Sequence, residues 1–139
     1  MTLRRFLTHS EEETIAIGHQ LAPELSGVVL LIGDLGAGKT TLAKGIVEGR
    51  GAARAEDVSS PTFTLIHQYA PDIYHVDLYR LDDERDVENI GLRDLISSAN
   101  LVLLEWAERF PGVLPRDRFE IRLNTLGDGS REITVNPLS

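Results

Sequence analysis

Gly33-Asp34-Leu35-Gly36-Ala37-Gly38-Lys39-Thr40 is the stretch that decides the fold of this chain. It fills every fixed position of the pattern G-x-x-x-x-G-K-[ST], a phosphate-binding loop when it joins a strand to a helix. Its flanks meet that condition. The run Val28 to Ile32 is apolar without alternation, as in a strand covered on both faces. Thr40 to Glu48 is helix-forming and sets Leu42, Ile46 and Val47 inward. A polyphosphate tail packs several negative charges into a small volume, which backbone N–H groups, a helix N-terminus and a lysine can meet together. Gly33, Gly36 and Gly38 allow the chain to come close. Asp34, Leu35, Gly36, Ala37, Gly38, Lys39, Thr40 and Thr41 are therefore the candidate contacts of the loop. The Lys39 ammonium suits the space between the β- and γ-phosphates, and the Thr40 hydroxyl suits magnesium, a hard ion that prefers oxygen. A chance glycine-rich turn would not bring the four specified residues and both flanks together.

Composition narrows the setting. The chain has 139 residues, the size of one compact domain, so residues 1–139 are expected to form a single unit. Acidic residues outnumber basic ones, 22 to 14, for a net charge of −8. That argues against a broad grip on DNA or other nucleic acid. Arg4-Arg5 is either a small basic patch or a solvated pair. Cysteine is absent, so neither a disulfide scaffold nor a thiolate metal site is available. No apolar run exceeds about five residues, against the roughly 20 needed to span a bilayer. With no signal-peptide pattern at Met1 to Leu7, the expectation is a cytoplasmic protein without a membrane segment.

Outward from the loop, Ser10-Glu11-Glu12-Glu13 is a capping-box pattern that should start a helix running to about Ala22, with Ile17 and Leu21 buried and Pro23 at its end. Residues 52–60 read as a loop. Thr62 to Tyr69 and Ile73 to Leu78 read as a β-hairpin turning at Ala70-Pro71-Asp72. Leu81 to Glu88 and Leu92 to Ile96 read as short helices, and Leu101 to Leu104 as a buried strand. Arg118 to Leu123 and Glu132 to Val135 read as a closing hairpin around Gly127-Asp128-Gly129.

A triphosphate site also needs a carboxylate near the metal, at the carboxyl end of a neighbouring strand. Leu101-Val102-Leu103-Leu104-Glu105 has that form. Glu105 can hold magnesium directly or through water, or polarise an attacking water; alone, it would be a strand-end residue meeting solvent. Trp106 belongs to the site rim or to local packing. Thr62 follows a proline-stiffened turn, where it could sense a γ-phosphate or merely begin a strand. Asp77, set among apolar neighbours, could orient water or accept its proton, or pair with Arg80 or Arg85. His67 and His75 lack metal-ligand spacing and read as structural or solvated.

Four segments taken in order resemble the TsaE (YjeE) family: Gly33 to Thr41, Ser60-Pro61-Thr62-Phe63-Thr64-Leu65, Val76-Asp77-Leu78-Tyr79-Arg80-Leu81, and Glu105-Trp106. The resemblance runs from about residue 10 to the C-terminal hairpin. It implies an α/β, P-loop NTPase-like three-layer domain whose central, mainly parallel sheet is flanked by antiparallel strands. It implies an ATPase that uses ATP with Mg²⁺, is weak alone, and serves tRNA threonylcarbamoyladenosine (t6A) synthesis beside the TsaB–TsaD pair. Contact with tRNA would then run through those partners. By position, Lys39 binds phosphates, Thr40 and Glu105 hold the metal, Thr62 and Asp77 take switch and catalytic positions, and Trp106 lies beside the site. Arg131 and the segment Thr8 to Glu13 occupy places that could touch base or ribose. Two other classes stay open. One is a small-molecule P-loop kinase, although no arginine-rich lid is visible after residue 110. The other is a module that senses ATP without cleaving it.

Overall fold

The apolar run before the loop is a strand buried between two layers of helix. The computed structural model describes residues 2–139. In chain order the elements are β1 (Arg4–Thr8), α1 (Glu11–Leu21), β2 (Gly27–Ile32), α2 (Lys39–Gly49), β3 (Ile66–Ala70), β4 (Ile73–Asp77), α3 (Glu84–Asn89), α4 (Leu92–Ser98), β5 (Leu101–Glu105), β6 (Arg118–Thr125) and β7 (Arg131–Leu138). The seven strands form one sheet in the order β1-β7-β6-β2-β5-β4-β3. The four in the middle, β6, β2, β5 and β4, run parallel. β3 is antiparallel to β4, and β7 and β1 close the other side antiparallel. This is the mainly parallel sheet with antiparallel flanks that the family resemblance implies.

The period of two along the strands splits the core. Val29 and Leu31 of β2 and Leu101 and Leu103 of β5 pack with Leu21, Leu42 and Ile46 from α1 and α2. Val28 and Leu30, with Val102 and Leu104, pack with Val87 and Leu92 from α3 and α4 on the opposite face. Each such side chain, fully withdrawn from water, contributes about 1.5–3 kcal/mol. A strand flanked by two helical layers must be apolar at every position, which is why β2 does not alternate.

Ser10 caps α1 as the pattern predicts, its Oγ accepting from Glu13 N at 3.1 Å, but the reciprocal bond of a capping box is displaced by one residue: Glu13 Oε1 accepts from His9 N at 3.0 Å rather than from the Ser10 amide. α1 ends at Leu21 and passes into a 3₁₀ turn, Ala22–Glu24, with Pro23 near its start. The two helices touch backbone to backbone. A Cβ on Gly18 would lie 2.7 Å from Gly45 Cα, and one on Gly45 would run into the Ile15 carbonyl. Gly45→Ala therefore sets two effects against each other. Helix propensity favours alanine by about 1 kcal/mol, while overpacking costs about 1–3 kcal/mol. The obstructing atom is backbone and cannot rotate away, so the clash wins. Thermal unfolding is expected to show a lower midpoint for Gly45→Ala and no change for Gly127→Ala, where nothing lies within 4 Å.

Three segments depart from the sequence reading. β1 has no strand pattern in the sequence. Arg4 and Arg5 belong to it and form no basic patch, since Arg4 bonds Glu24 at 2.6 Å and Arg5 lies 3.8 Å from Glu132. Thr62 to Leu65 is not strand. Leu65 takes a left-handed φ of 70° and donates its N–H back to the Pro61 carbonyl at 2.6 Å, so β3 starts only at Ile66. Residues 81–83 are not helical either. Asp83 is the N-cap of α3, accepting from Asp86 N at 3.0 Å, and the Arg109 guanidinium holds the carbonyls of Tyr79 and Leu81 in a loop.

Candidate functional site

The parallel strands deliver their carboxyl ends to one edge of the sheet, where doubly wound folds bind ligands. β2 runs out there into the glycine loop, and α2 leaves it with its N-terminus at the same edge. Gly38 caps that helix at φ 104°, a conformation open to glycine and strained for any other residue. No side chain caps the helix, and its first backbone bond is Leu42 N to Gly38 O at 2.9 Å. The amides of Lys39, Thr40 and Thr41 thus lack intrahelical acceptors.

A cleft of about 630 Å³ opens over this edge. Leu35, Gly36, Gly38, Lys39, Thr40, Thr41, Thr62, Asp77, Glu105, Trp106 and Arg131 all line it. Two candidates from the loop do not. The Ala37 methyl is buried in the core, and Asp34 faces an adjoining hollow shared with Glu108, Arg122 and Asn124. His9, Ser10, Glu11 and Thr14 form the far wall, so the Thr8 to Glu13 segment does reach the cleft.

Lys39 is in an unusual state. The residue is only 5% exposed, and Nζ has no hydrogen-bond partner among the described residues. The ammonium lies 3.4 Å above the Trp106 ring centroid, a cation–π contact. Burial holds its pKa below the ordinary lysine value, with the carboxylates of Glu105, Glu108, Asp77 and Asp34 pulling the other way. Trp106 reaches this position with a left-handed φ of 69° and packs against Tyr79, ring centroids 5.1 Å apart. Trp106 and Leu65 are the only non-glycine residues at positive φ among those described; Trp106 lines the cleft, and the Leu65 carbonyl accepts from Asp77 N at 2.9 Å. Such strain, about 1–3 kcal/mol each, persists where the surrounding structure imposes it.

Asp77 and Glu105 are direct register partners on β4 and β5, so the carboxylates stand side by side. Neither pairs with an arginine. Asp77 Oδ2 accepts from the hydroxyls of Ser60 at 2.9 Å and Thr62 at 3.0 Å, and Oδ1 accepts from Tyr79 N at 2.8 Å. Arg80 instead lies over the Phe63 ring. Glu105 Oε2 lies 2.5 Å from His75 Nε2, and both residues are buried. Arg131 donates to the carbonyls of Gly129 at 2.8 Å and Gly36 at 3.1 Å, tying the β7 hairpin to the loop.

The residues fit a magnesium-bound polyphosphate. Bare amides at a helix start and a buried, unbonded ammonium call for an anion. Among the described residues no cluster of three or more His, Asp or Glu forms a metal cage. Magnesium bound to phosphates needs only one or two protein groups. Thr40 and Glu105, facing the same cleft, are two groups that could hold it.

Sheet order, loop and cleft together define a P-loop nucleoside-triphosphate fold. A crystal structure titled as that of Bacillus subtilis YdiB aligns with a TM-score of 0.80 and 34% identity, over 99% of this chain and 87% of that one. The profile described as "Threonylcarbamoyl adenosine biosynthesis protein TsaE" matches residues 8–133, and the chain belongs to the TsaE family. A relative from Bacillus subtilis (strain 168), named tRNA threonylcarbamoyladenosine biosynthesis protein TsaE, is 42% identical over 94% of this chain and 83% of its own. One of the same name from Haemophilus influenzae is 40% identical over 78% of this chain and 70% of its own.

Sequence reasoning passed over three contributors. His75 has no ligand spacing in the sequence, and its bond to Glu105 follows only from strand register. Ser60 was visible as a hydroxyl beside Pro61, but its acceptor lies 17 residues away. Arg109 lacks any motif and acts through backbone carbonyls.

Proposed function

We propose that this chain binds ATP with Mg²⁺ in the cleft, hydrolyses it slowly, and serves t6A synthesis as an accessory ATPase beside TsaB–TsaD. The observation that carries the reading is the buried Lys39 ammonium, unbonded at the start of α2 and facing Asp77 and Glu105. Burying a cation without a hydrogen-bond acceptor is costly, so the arrangement is best accounted for by an anion that binds there.

Each candidate takes a role. Lys39 and the loop amides from Asp34 through Thr41 hold the phosphates; Asp34 and Ala37 contribute backbone alone. Thr40 and Glu105 hold the metal. Magnesium, when bound, neutralises charge on the phosphates. Thr62 and Asp77 orient the attacking water, and Asp77 is the group suited to take its proton. Trp106 and Arg131 wall the nucleotide, Arg131 also bracing Gly36. The 139 residues act as one ATPase domain. No helix among the described residues is long and apolar enough to cross a membrane, and the proposed work on tRNA is in keeping with a cytoplasmic protein. Contact with tRNA runs through the partners, and DNA is not a ligand.

Phosphate release tests this directly. Hydrolysis is expected to need Mg²⁺, to stop with chelator, and to accelerate when TsaB and TsaD are added. Phosphate transfer to a metabolite, with no such acceleration, would favour a kinase. ATP binding with no cleavage in any mixture would favour a sensing module.

A further inference from the structure

His75 lies outside every role assigned above, yet it is completely buried and bonded to a residue of the site. It stands on β4 two residues before Asp77, so both project toward the α2 layer. Its ring meets Glu105 across the β4–β5 pair, Nε2 to Oε2 at 2.5 Å. A carboxylate only accepts, so Nε2 carries the hydrogen. The other nitrogen, Nδ1, is buried without a partner. The Glu105 bond is thus the only side-chain hydrogen bond this imidazole makes among the described residues.

The bond acts on a carboxylate with a problem. Glu105 is the register partner of Asp77, and like charges placed directly opposite repel. Asp77 is fixed by Ser60, Thr62 and the Tyr79 amide and cannot move aside. His75 makes the only side-chain hydrogen bond to the Glu105 carboxylate among the described residues, so without it no donor fixes that group's rotamer. We propose that His75 is a positioning residue: by holding Oε2 it fixes the Glu105 carboxylate so that Oε1 is the oxygen offered to the metal. The inference rests on the magnesium–nucleotide reading above and deepens it. Partners that orient a ligating group in this way are worth ~10–100-fold in metal affinity.

The test reads metal affinity rather than turnover. Mn²⁺ is titrated into the full-length protein saturated with β,γ-methylene-ATP, and free Mn²⁺ is followed by its electron paramagnetic resonance signal. His75→Leu, which fills the space but donates nothing, is expected to weaken Mn²⁺ about tenfold. His75→Gln, whose amide can donate near the position of Nε2, is expected to recover most of that loss. In a Glu105→Gln background His75→Leu should add nothing, because the effect travels through the carboxylate. A merely structural histidine would give losses that add in the double variant and would not be rescued by glutamine. Either result overturns the proposal, as does an affinity for His75→Leu within twofold of wild type. Should His75→Leu not fold, His75→Met takes its place in the same comparison. Wild-type protein that binds no Mn²⁺–nucleotide would overturn the functional reading and this inference with it. Normal wild-type binding with an indifferent His75 would overturn the inference alone.

Discussion

Lys39→Ala is expected to remove nucleotide binding while leaving the fold intact. Two charge-assisted bonds to phosphate, at about 1.5–3 kcal/mol each, together amount to a loss of about 10²–10⁴-fold in affinity. Folding should hardly suffer. The lysine side chain makes no hydrogen bond among the described residues, and its contact with Trp106 is opposed by the cost of burying a cation. The thermal midpoint of Lys39→Ala should therefore equal or slightly exceed that of wild type, and equilibrium dialysis with labelled ATP should show the loss. A lower midpoint together with unchanged binding would mean that the ammonium is structural.

The same lysine fixes a pH dependence of definite sign. Burial lowers its folded pKa below the unfolded value. Between those two values the unfolded chain holds the proton and the folded chain has released it, so stability contributed by this group rises with pH. Nucleotide affinity does the opposite, because a neutral amine no longer attracts phosphate. On the alkaline side the ligand-free protein should gain stability as it loses affinity. Lys39→Ala should lack both trends. As the only tryptophan, Trp106 offers an optical readout of whether the ammonium has left its ring.

The second large effect concerns cleavage. Glu105→Gln and Asp77→Asn keep side-chain volume and remove charge. General-base and water-positioning groups contribute about 10²–10⁴-fold, so single-turnover hydrolysis should fall by that much in Asp77→Asn. Glu105→Gln should fall similarly but partly recover at high Mg²⁺, since its defect lies in holding the metal. ATP binding measured with chelator present should survive in both. If both variants hydrolyse normally, the two buried carboxylates have no part in the chemistry. If both still support tRNA modification after losing hydrolysis, the protein works by sensing ATP.

Much of this site was legible because its signals are local. Gly33 to Thr40 is contiguous, the strand before it is apolar throughout, and Glu105 ends a four-residue apolar run. The resemblance then joined Thr62 and Asp77 to them. What stayed hidden depends on pairing across the sheet. β1 carries two arginines in five residues and is strand only because β7 offers it an edge. Thr62 to Leu65 has strand-like composition, but the hydroxyls of Ser60 and Thr62 must reach Asp77, and that bends the chain out of the sheet. His75 meets Glu105 across 30 residues of sequence through the β4–β5 register. The left-handed turns at Leu65 and Trp106 go against side-chain preference and are imposed by surroundings that no local window contains.

The central claim is that the loop amides and the Lys39 ammonium grip the phosphate tail of a nucleotide. Equilibrium dialysis of labelled ATP and Mg²⁺ against the folded wild-type chain, with Lys39→Ala alongside, tests it most directly. Saturable binding of one nucleotide per chain, lost in the variant, is the expected result. Wild-type protein that retains no more ATP than the variant would contradict it.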